Sequence, residues 1–262
     1  MNIILNDFHH LVHEYAYLIK NETSIPEDSP IWVMWFQGIK NAPPIVKACI
    51  QSIIINAKKH PVYIISKDNY KQYISLPLFI EKKLKEKKFS ITHFSDIIRM
   101  ALLSKYGGYW IDSTYLITSP IPPTNSSLFT LKLAQCIPTF TKCLWAGNFL
   151  ATSKNSFLAT YAYNALLFYW KNYNTLINYF LIDYVIYIAF RNVLPLRKKI
   201  FKLPFITCNI FNLVRVLNKN YKDSLINCTF NKLSIHLKVK IKKSNKTVYG
   251  RIISKYKLRL KN

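Results

Sequence analysis

The chain has 262 residues, half of them apolar and 15% aromatic, enough to bury a core as one domain and incompatible with an intrinsically disordered polypeptide. Its 37 Lys and Arg against 12 Asp and Glu leave a net charge of +25, a field that attracts nucleic acid, anionic lipid head groups or phosphate-bearing substrates. The five cysteines (Cys49, Cys136, Cys143, Cys208, Cys228) form no C-x-x-C pair and read as reduced core thiols, and the first residues lack the features of a secretory leader, so a cytoplasmic protein is expected.

Residues 6–20 place Phe8, Leu11, Val12, Tyr15 and Leu18 at helical spacing and predict a leading helix. Its His9, His10 and His13 have no carboxylate or cysteine at ligand spacing beside them, so they read as ordinary helix histidines. A loop with Pro26, Asp28 and Pro30 delivers a first strand, in which Trp32 and Trp35 point to opposite faces, so that one can be core while the other is free; from the residues alone core packing is the favoured reading. Pro44 opens a helix to about Ala57, and Val62 to Ile65 give a second strand and complete a β-α-β start. No G-x-G-x-x-G follows the first strand. Residues 67–88 form a polar helical region.

Residues 90–118 are the richest stretch. Ser90 or Thr92 can cap a helix whose apolar face is Phe94, Ile97, Ile98, Ala101 and Leu102, and Gly107 ends it. A strand over Tyr109–Ile111 follows, with Asp112 at its carboxyl end, where open α/β sheets bind ligands. Ser113 and Thr114 lead to a further strand, Tyr115–Ile117. Asp96 and Arg99 project from one side of the helix, either as an internal ion pair or as a pair that holds a ligand. After a Pro-rich turn at 120–123, residues 128–151 predict two short strands around a loop. There Gly147-Asn148 is either a turn or a close backbone approach with a donor and acceptor for a sugar hydroxyl. Two aromatic-rich helices cover 155–171 and 175–191; Asp183, in the second, is paired with Arg191 or Arg197 or exposed at a site. The apolar run from Leu176 to Phe190 is too short to span a bilayer. From Lys232 to Asn262 there are 11 basic residues and no acidic one.

The pattern Ser95-Asp96-x-x-Arg99, then Gly107-Gly108-Tyr109-Trp110-x-Asp112, resembles the sugar transferases with a DXD motif and, more closely, the bacterial capsular polysaccharide synthesis protein family. Ile31–Gly38, Ala42–Val46, Trp145–Phe149, Tyr169-Trp170, Tyr179–Tyr184 and Lys232–Ser234 are similar to further blocks of that family, so the resemblance spans roughly residues 30–238. It implies an α/β, GT-A-like, Rossmann-type nucleotide-sugar-binding domain over residues 1–240. Within it the donor site centres on 90–118 and a helical C-terminal part covers 155–217; a basic tail, 241–262, follows.

The resemblance also implies roles. Trp32 or Trp35, with Trp110, would contact the nucleotide, and Asp112 its ribose or a metal. Asp96, Arg99 and Asn148 would hold the donor sugar, and Asp183 would be catalytic. Thr114 stands where a DXD motif has its second acid, and a hydroxyl is a poorer ligand for Mg²⁺ or Mn²⁺. Either Asp112 alone anchors the cation or basic side chains take its role. The expected activity is transfer, with retention, from a nucleotide sugar (a UDP-sugar favoured) to a capsular or lipid-linked glycan acceptor. The basic end would rest on the anionic inner face of the cell membrane. A nucleic-acid-binding protein is the rival class, but no zinc finger, helix-turn-helix or aromatic RNP-type pattern supports it and no nucleic-acid partner is expected. A catalytically silent relative that keeps the fold is the third reading.

Overall fold

The computed structural model of the protein describes residues 2–134, 140–236 and 244–258. Helix α1 (Asn2–Tyr15) leads through a 3-10 turn and a loop into β1 (Ile31–Met34), α2 (Pro44–Asn56) and β2 (Val62–Ile65). Pro44 occupies the first turn of α2, where a missing N–H breaks no helical bond. The polar region after β2 is two short helices, α3 (Tyr70–Tyr73) and α4 (Leu78–Lys85), the second starting after Pro77. Helix α5 (Ile91–Tyr106) begins at Ser90, whose hydroxyl accepts from the His93 amide at 3.2 Å, and ends at Gly107. Gly107 and Gly108 have φ of 69° and 89°, and a Cβ on Gly108 would stand 2.1 Å from the Pro30 carbonyl oxygen. Only glycine lets the chain turn from α5 into β3 (Gly108–Ile111) so close to the start of β1.

The remaining elements are β4 (Tyr115–Ile117), β5 (Leu128–Thr130), β6 (Lys132–Leu133), β7 (Phe149–Thr152), α6 (Phe157–Asn172), α7 (Leu181–Asn192), α8 (Leu194–Lys202), β8 (Phe205–Ile206), α9 (Asn212–Arg215), β9 (Phe230–Lys232) and α10 (Val248–Lys255). The stretch expected to hold two strands thus holds three, β5 to β7. The central sheet is ordered β2-β1-β3-β7-β5. β1 pairs in parallel with β2 and β3, whereas β7 is antiparallel to both β3 and β5, so β7 alone runs against the other four. β4 pairs with β9 and β6 with β8 in two small satellite sheets. The result is a mixed α/β fold.

Strand alternation sorts the core into two faces. Trp32, Met34, Trp110 and Leu150 point to a layer formed with α1, α5, α6 and α7. Ile31, Val33, Tyr109, Ile111 and Phe149 point to the opposite layer, covered by α2 and α10. In α10, Val248, Ile252 and Tyr256 recur every four residues and are buried, while Arg251 and Lys255 stay exposed. Part of the expected basic tail is therefore a docked amphipathic helix, which its many lysines obscure in the sequence; residues 237–243 and 259–262 lie outside the described residues.

The cysteine expectation also needs correction. Cys208 and Cys228, 20 residues apart, form a disulfide, because pairing of β9 with β4 returns the chain beside the segment after β8. Cys143 is disulfide-bonded as well, Cys49 is a free buried thiol, and Cys136 lies outside the described residues. Among the described residues, no helix is long and apolar enough to cross a membrane.

Candidate active site

Three of the chain's twelve acids, Asp96, Asp112 and the sequence-distant Asp183, meet at the carboxyl end of β3 around one arginine. Helix α5 supplies Asp96 and Arg99, both buried, with Arg99 Nη2 3.1 Å from Asp96 Oδ1. The same guanidinium nitrogen lies 3.5 Å from Asp112 Oδ1, and the Arg99 guanidinium carbon sits 5.1 Å from the centre of the Trp110 ring. Asp183 arrives in the first turn of α7, where the helix dipole favours a negative charge. Gly147 separates it from Arg99: a Cβ there would stand 3.2 Å from Asp183 Oδ1 and 3.7 Å from Arg99 Nη1. Neither arginine weighed as a partner in sequence forms an ion pair with it among the described residues. Arg191 is eight residues further along α7, about 12 Å by helical rise.

Two of the acids accept directly from an indole, and a third indole holds the histidine beside Asp96. Trp110 Nε1 donates to Asp112 Oδ1 at 2.9 Å, and Trp145 Nε1 donates to Asp183 Oδ1 at 3.0 Å. Trp170 Nε1 donates to His93 Nε2 at 2.6 Å. An indole can only donate, so that histidine nitrogen accepts, and Nδ1 carries the ring proton toward Asp96 Oδ2, 3.6 Å away. Asn148 closes the cluster: its carbonyl accepts from the Asp112 amide at 3.0 Å, and its side-chain oxygen accepts from the Tyr115 hydroxyl at 2.8 Å.

Asp112 and Asp183 do not share one electrostatic state. Burial opposes ionisation of Asp112, but the Lys232 ammonium and Arg99 guanidinium outweigh it and hold the carboxyl below its ordinary range. Burial pushes Asp183 up to about 6, against the lowering effects of Trp145 and Arg99. One carboxylate is thus firmly charged, and the other is poised near neutral pH, the division of labour an acid/base or charge-stabilising site requires. Tyr179 is 65% exposed, yet partial burial and the charges of Asp96, Asp112 and Asp183 push its hydroxyl up.

Lys232 completes the arrangement from β9. Its Nζ donates to Asp112 Oδ2 at 2.8 Å and to Thr114 Oγ1 at 2.7 Å. Asp112 and Thr114 are the residues that would hold a divalent cation in the manner of a DXD motif, where it would offset the charge of a diphosphate, and both are engaged by the Lys232 ammonium group. Among the described residues, no group of three or more His, Cys, Asp or Glu is placed to hold a metal ion. The donor set does not fit a resident Mg²⁺ or Mn²⁺.

Asp96, Arg99, Trp110, Asp112, Thr114, Asn148 and Asp183, all singled out in sequence, therefore share one place. Trp32 does not join them. It is 2% exposed, its ring stacks on Tyr63 with centroids 4.9 Å apart, and its N–H donates to the Gly107 carbonyl at 2.9 Å, so the role proposed for it at a nucleotide base gives way to core packing. Trp35 packs toward the opposite layer. Trp110 is in the cluster but buried, serving Asp112 rather than offering a free face. Sequence reasoning passed over His93, and it saw Trp145, Trp170 and Lys232 only as parts of conserved-looking blocks with no role. The available signal was chemical: a buried indole N–H needs an acceptor, and acids are few in this chain.

A cavity of about 240 Å³ lies elsewhere: lined by Lys58, Lys59, His60 and Tyr109, it opens at the other end of the strands, beside the loop that leads to β1.

The family model described as capsular polysaccharide synthesis protein matches residues 1–256. Among solved structures, the chain is similar to one titled "PaToxG Glycosyltransferase", at 12% identity and a TM-score of 0.44, over 76% of this chain and 82% of that one. That likeness is too distant to transfer the role of any residue. No curated protein matches the chain.

Proposed function

This chain belongs to the capsular polysaccharide synthesis protein family, and from that premise we propose that it is a glycosyltransferase whose donor site is the Asp96–Arg99–Asp112–Asp183 cluster. The observation that carries the reading is the convergence of three acids on one arginine at the carboxyl end of the sheet, with the Asp112 carboxyl held down and the Asp183 carboxyl pushed up. A sugar leaving a diphosphate develops positive charge on its ring while negative charge grows on the leaving group. Asp183, ionised above about pH 6, stabilises the ring's charge from one side. Asp96 and Arg99 form the floor against which the sugar hydroxyls are oriented, and Asn148 supports Asp112 from behind. The donor is a nucleotide sugar, a UDP-sugar favoured, and transfer proceeds with retention to a capsular or lipid-linked glycan. The exposed Tyr179 is suited to stack against the acceptor. The enzyme works beside the anionic inner face of the membrane, to which the chain's net charge of +25 draws it.

The test is a thermal-shift screen of UDP- and GDP-sugars beside DNA and RNA oligonucleotides at physiological salt. The expected result is stabilisation by a nucleotide sugar that Asp112→Ala abolishes. Stabilisation by oligonucleotides alone would contradict the proposal.

A further inference from the structure

The position of Lys232 bears on how the site handles a diphosphate. Strand β9 places this lysine opposite Tyr115 on β4, with its amide bonded to the Ile210 carbonyl at 2.9 Å, and the Cys208–Cys228 disulfide ties down the chain just before it. The side chain is 16% exposed and passes 5.1 Å from the centre of the Tyr115 ring. Two ammonium protons are directed to Asp112 Oδ2 and Thr114 Oγ1. An ammonium group has three, and the third remains for an oxygen arriving from the open side of the cluster. Thr114, which looks in sequence like a defect in an acidic metal site, is in the structure one of two acceptors that aim a cation belonging to the protein itself.

We infer that Lys232 is the fixed cation of the donor site, binding the diphosphate of the nucleotide donor in the position where a DXD motif would hold a divalent metal, so that donor binding and transfer need no metal ion. This rests on the glycosyltransferase reading above. In the transfer, the bond between the sugar's anomeric carbon and the diphosphate oxygen breaks, and its electron pair stays on that oxygen. The acceptor's hydroxyl oxygen bonds to the anomeric carbon, and its proton goes to the departing diphosphate. Lys232 meets the charge that grows on the diphosphate, without gaining or losing a proton itself. Asp112 and Thr114 keep the ammonium from moving as that charge develops.

The experiment is calorimetric titration of the full chain with UDP and with GDP, each with EDTA and each with Mn²⁺, read beside the electron paramagnetic resonance of free Mn²⁺. The expected result is that one nucleotide binds with equal affinity in EDTA and in Mn²⁺, and that the Mn²⁺ signal is not quenched when it binds. Lys232→Met should weaken that binding about 30-fold, the loss of one charged hydrogen bond, and Lys232→Arg should recover most of it. Binding that requires Mn²⁺ in the unaltered protein, with quenching of the signal, would overturn the inference about Lys232 and leave the glycosyltransferase reading standing. Binding of neither nucleotide under either condition would overturn both. The unaltered protein decides among these outcomes even if Lys232→Met fails to fold.

Discussion

The two faces of the central sheet are built from different chemistry. The layer over α2 and α10 is mainly aliphatic, with Ile31, Val33, Ile50, Ile53 and Ile252 buried without any need for polar partners. The layer over α5, α6 and α7 is aromatic, and its tryptophans bring N–H groups into a dry interior. Those N–H groups must be satisfied, and three of them end on Asp112, Asp183 and the histidine that faces Asp96. The contrast shows how this chain affords buried carboxylates: the aromatic layer is at once core and donor set for the acids, while the aliphatic layer mainly holds the sheet and lends the cluster Tyr115.

If that division is right, damage to the aromatic layer at the cluster should cost activity, and damage to the aliphatic layer should cost stability. The largest loss is expected at the floor. Asp96→Asn and Arg99→Lys should each lower kcat/KM for sugar transfer by about 1000-fold, since a buried guanidinium lying between two carboxylates is not replaced by an ammonium. Circular dichroism should show that both variants fold. Full activity in either would reduce the pair to an internal strut.

A smaller and more specific loss is expected from Trp145→Phe, which keeps the ring and removes the N–H. That N–H lowers the Asp183 carboxyl, so its removal should raise the group further above about 6 and move the acid limb of the activity profile to higher pH. At pH 7 the rate should fall about 10-fold, with recovery as the pH rises. An unshifted acid limb would show that Asp183 is not the titrating group. The least effect on chemistry is expected from Ile252→Ala in α10. It should lower unfolding free energy by about 2–4 kcal/mol in urea titration and leave turnover per folded molecule unchanged.

The two layers were unequally legible in sequence. Ser90, Gly107, Pro44 and the strand at Tyr109–Ile111 announce their elements through local chemistry, because caps, turns and alternation are set by near neighbours. Asp96, Arg99 and Asp112 stood out because they sit within 17 residues of one another on a helix, a turn and a strand. Lys232 did not, since its role exists only once β9 pairs with β4, and that pairing spans more than a hundred residues. For Trp32 the core packing favoured from the residues alone holds, and the nucleotide role implied by the resemblance does not: its neighbours Tyr63, Tyr73 and Tyr106 come from three other segments and fill the space a nucleotide base would need. The basic C-terminal helix read as tail because it is short and flanked by lysines on both sides, and α2, which covers its buried residues, is some two hundred residues away.

The most direct measurement is a crystal structure of the chain with UDP soaked in the presence of EDTA. The account predicts the diphosphate at the carboxyl end of β3, an oxygen within hydrogen-bond distance of Lys232 Nζ, and Asp183 facing the space where the sugar would follow. A diphosphate lodged instead in the cavity beside Lys58, Lys59 and His60, at the other end of the strands, would contradict it.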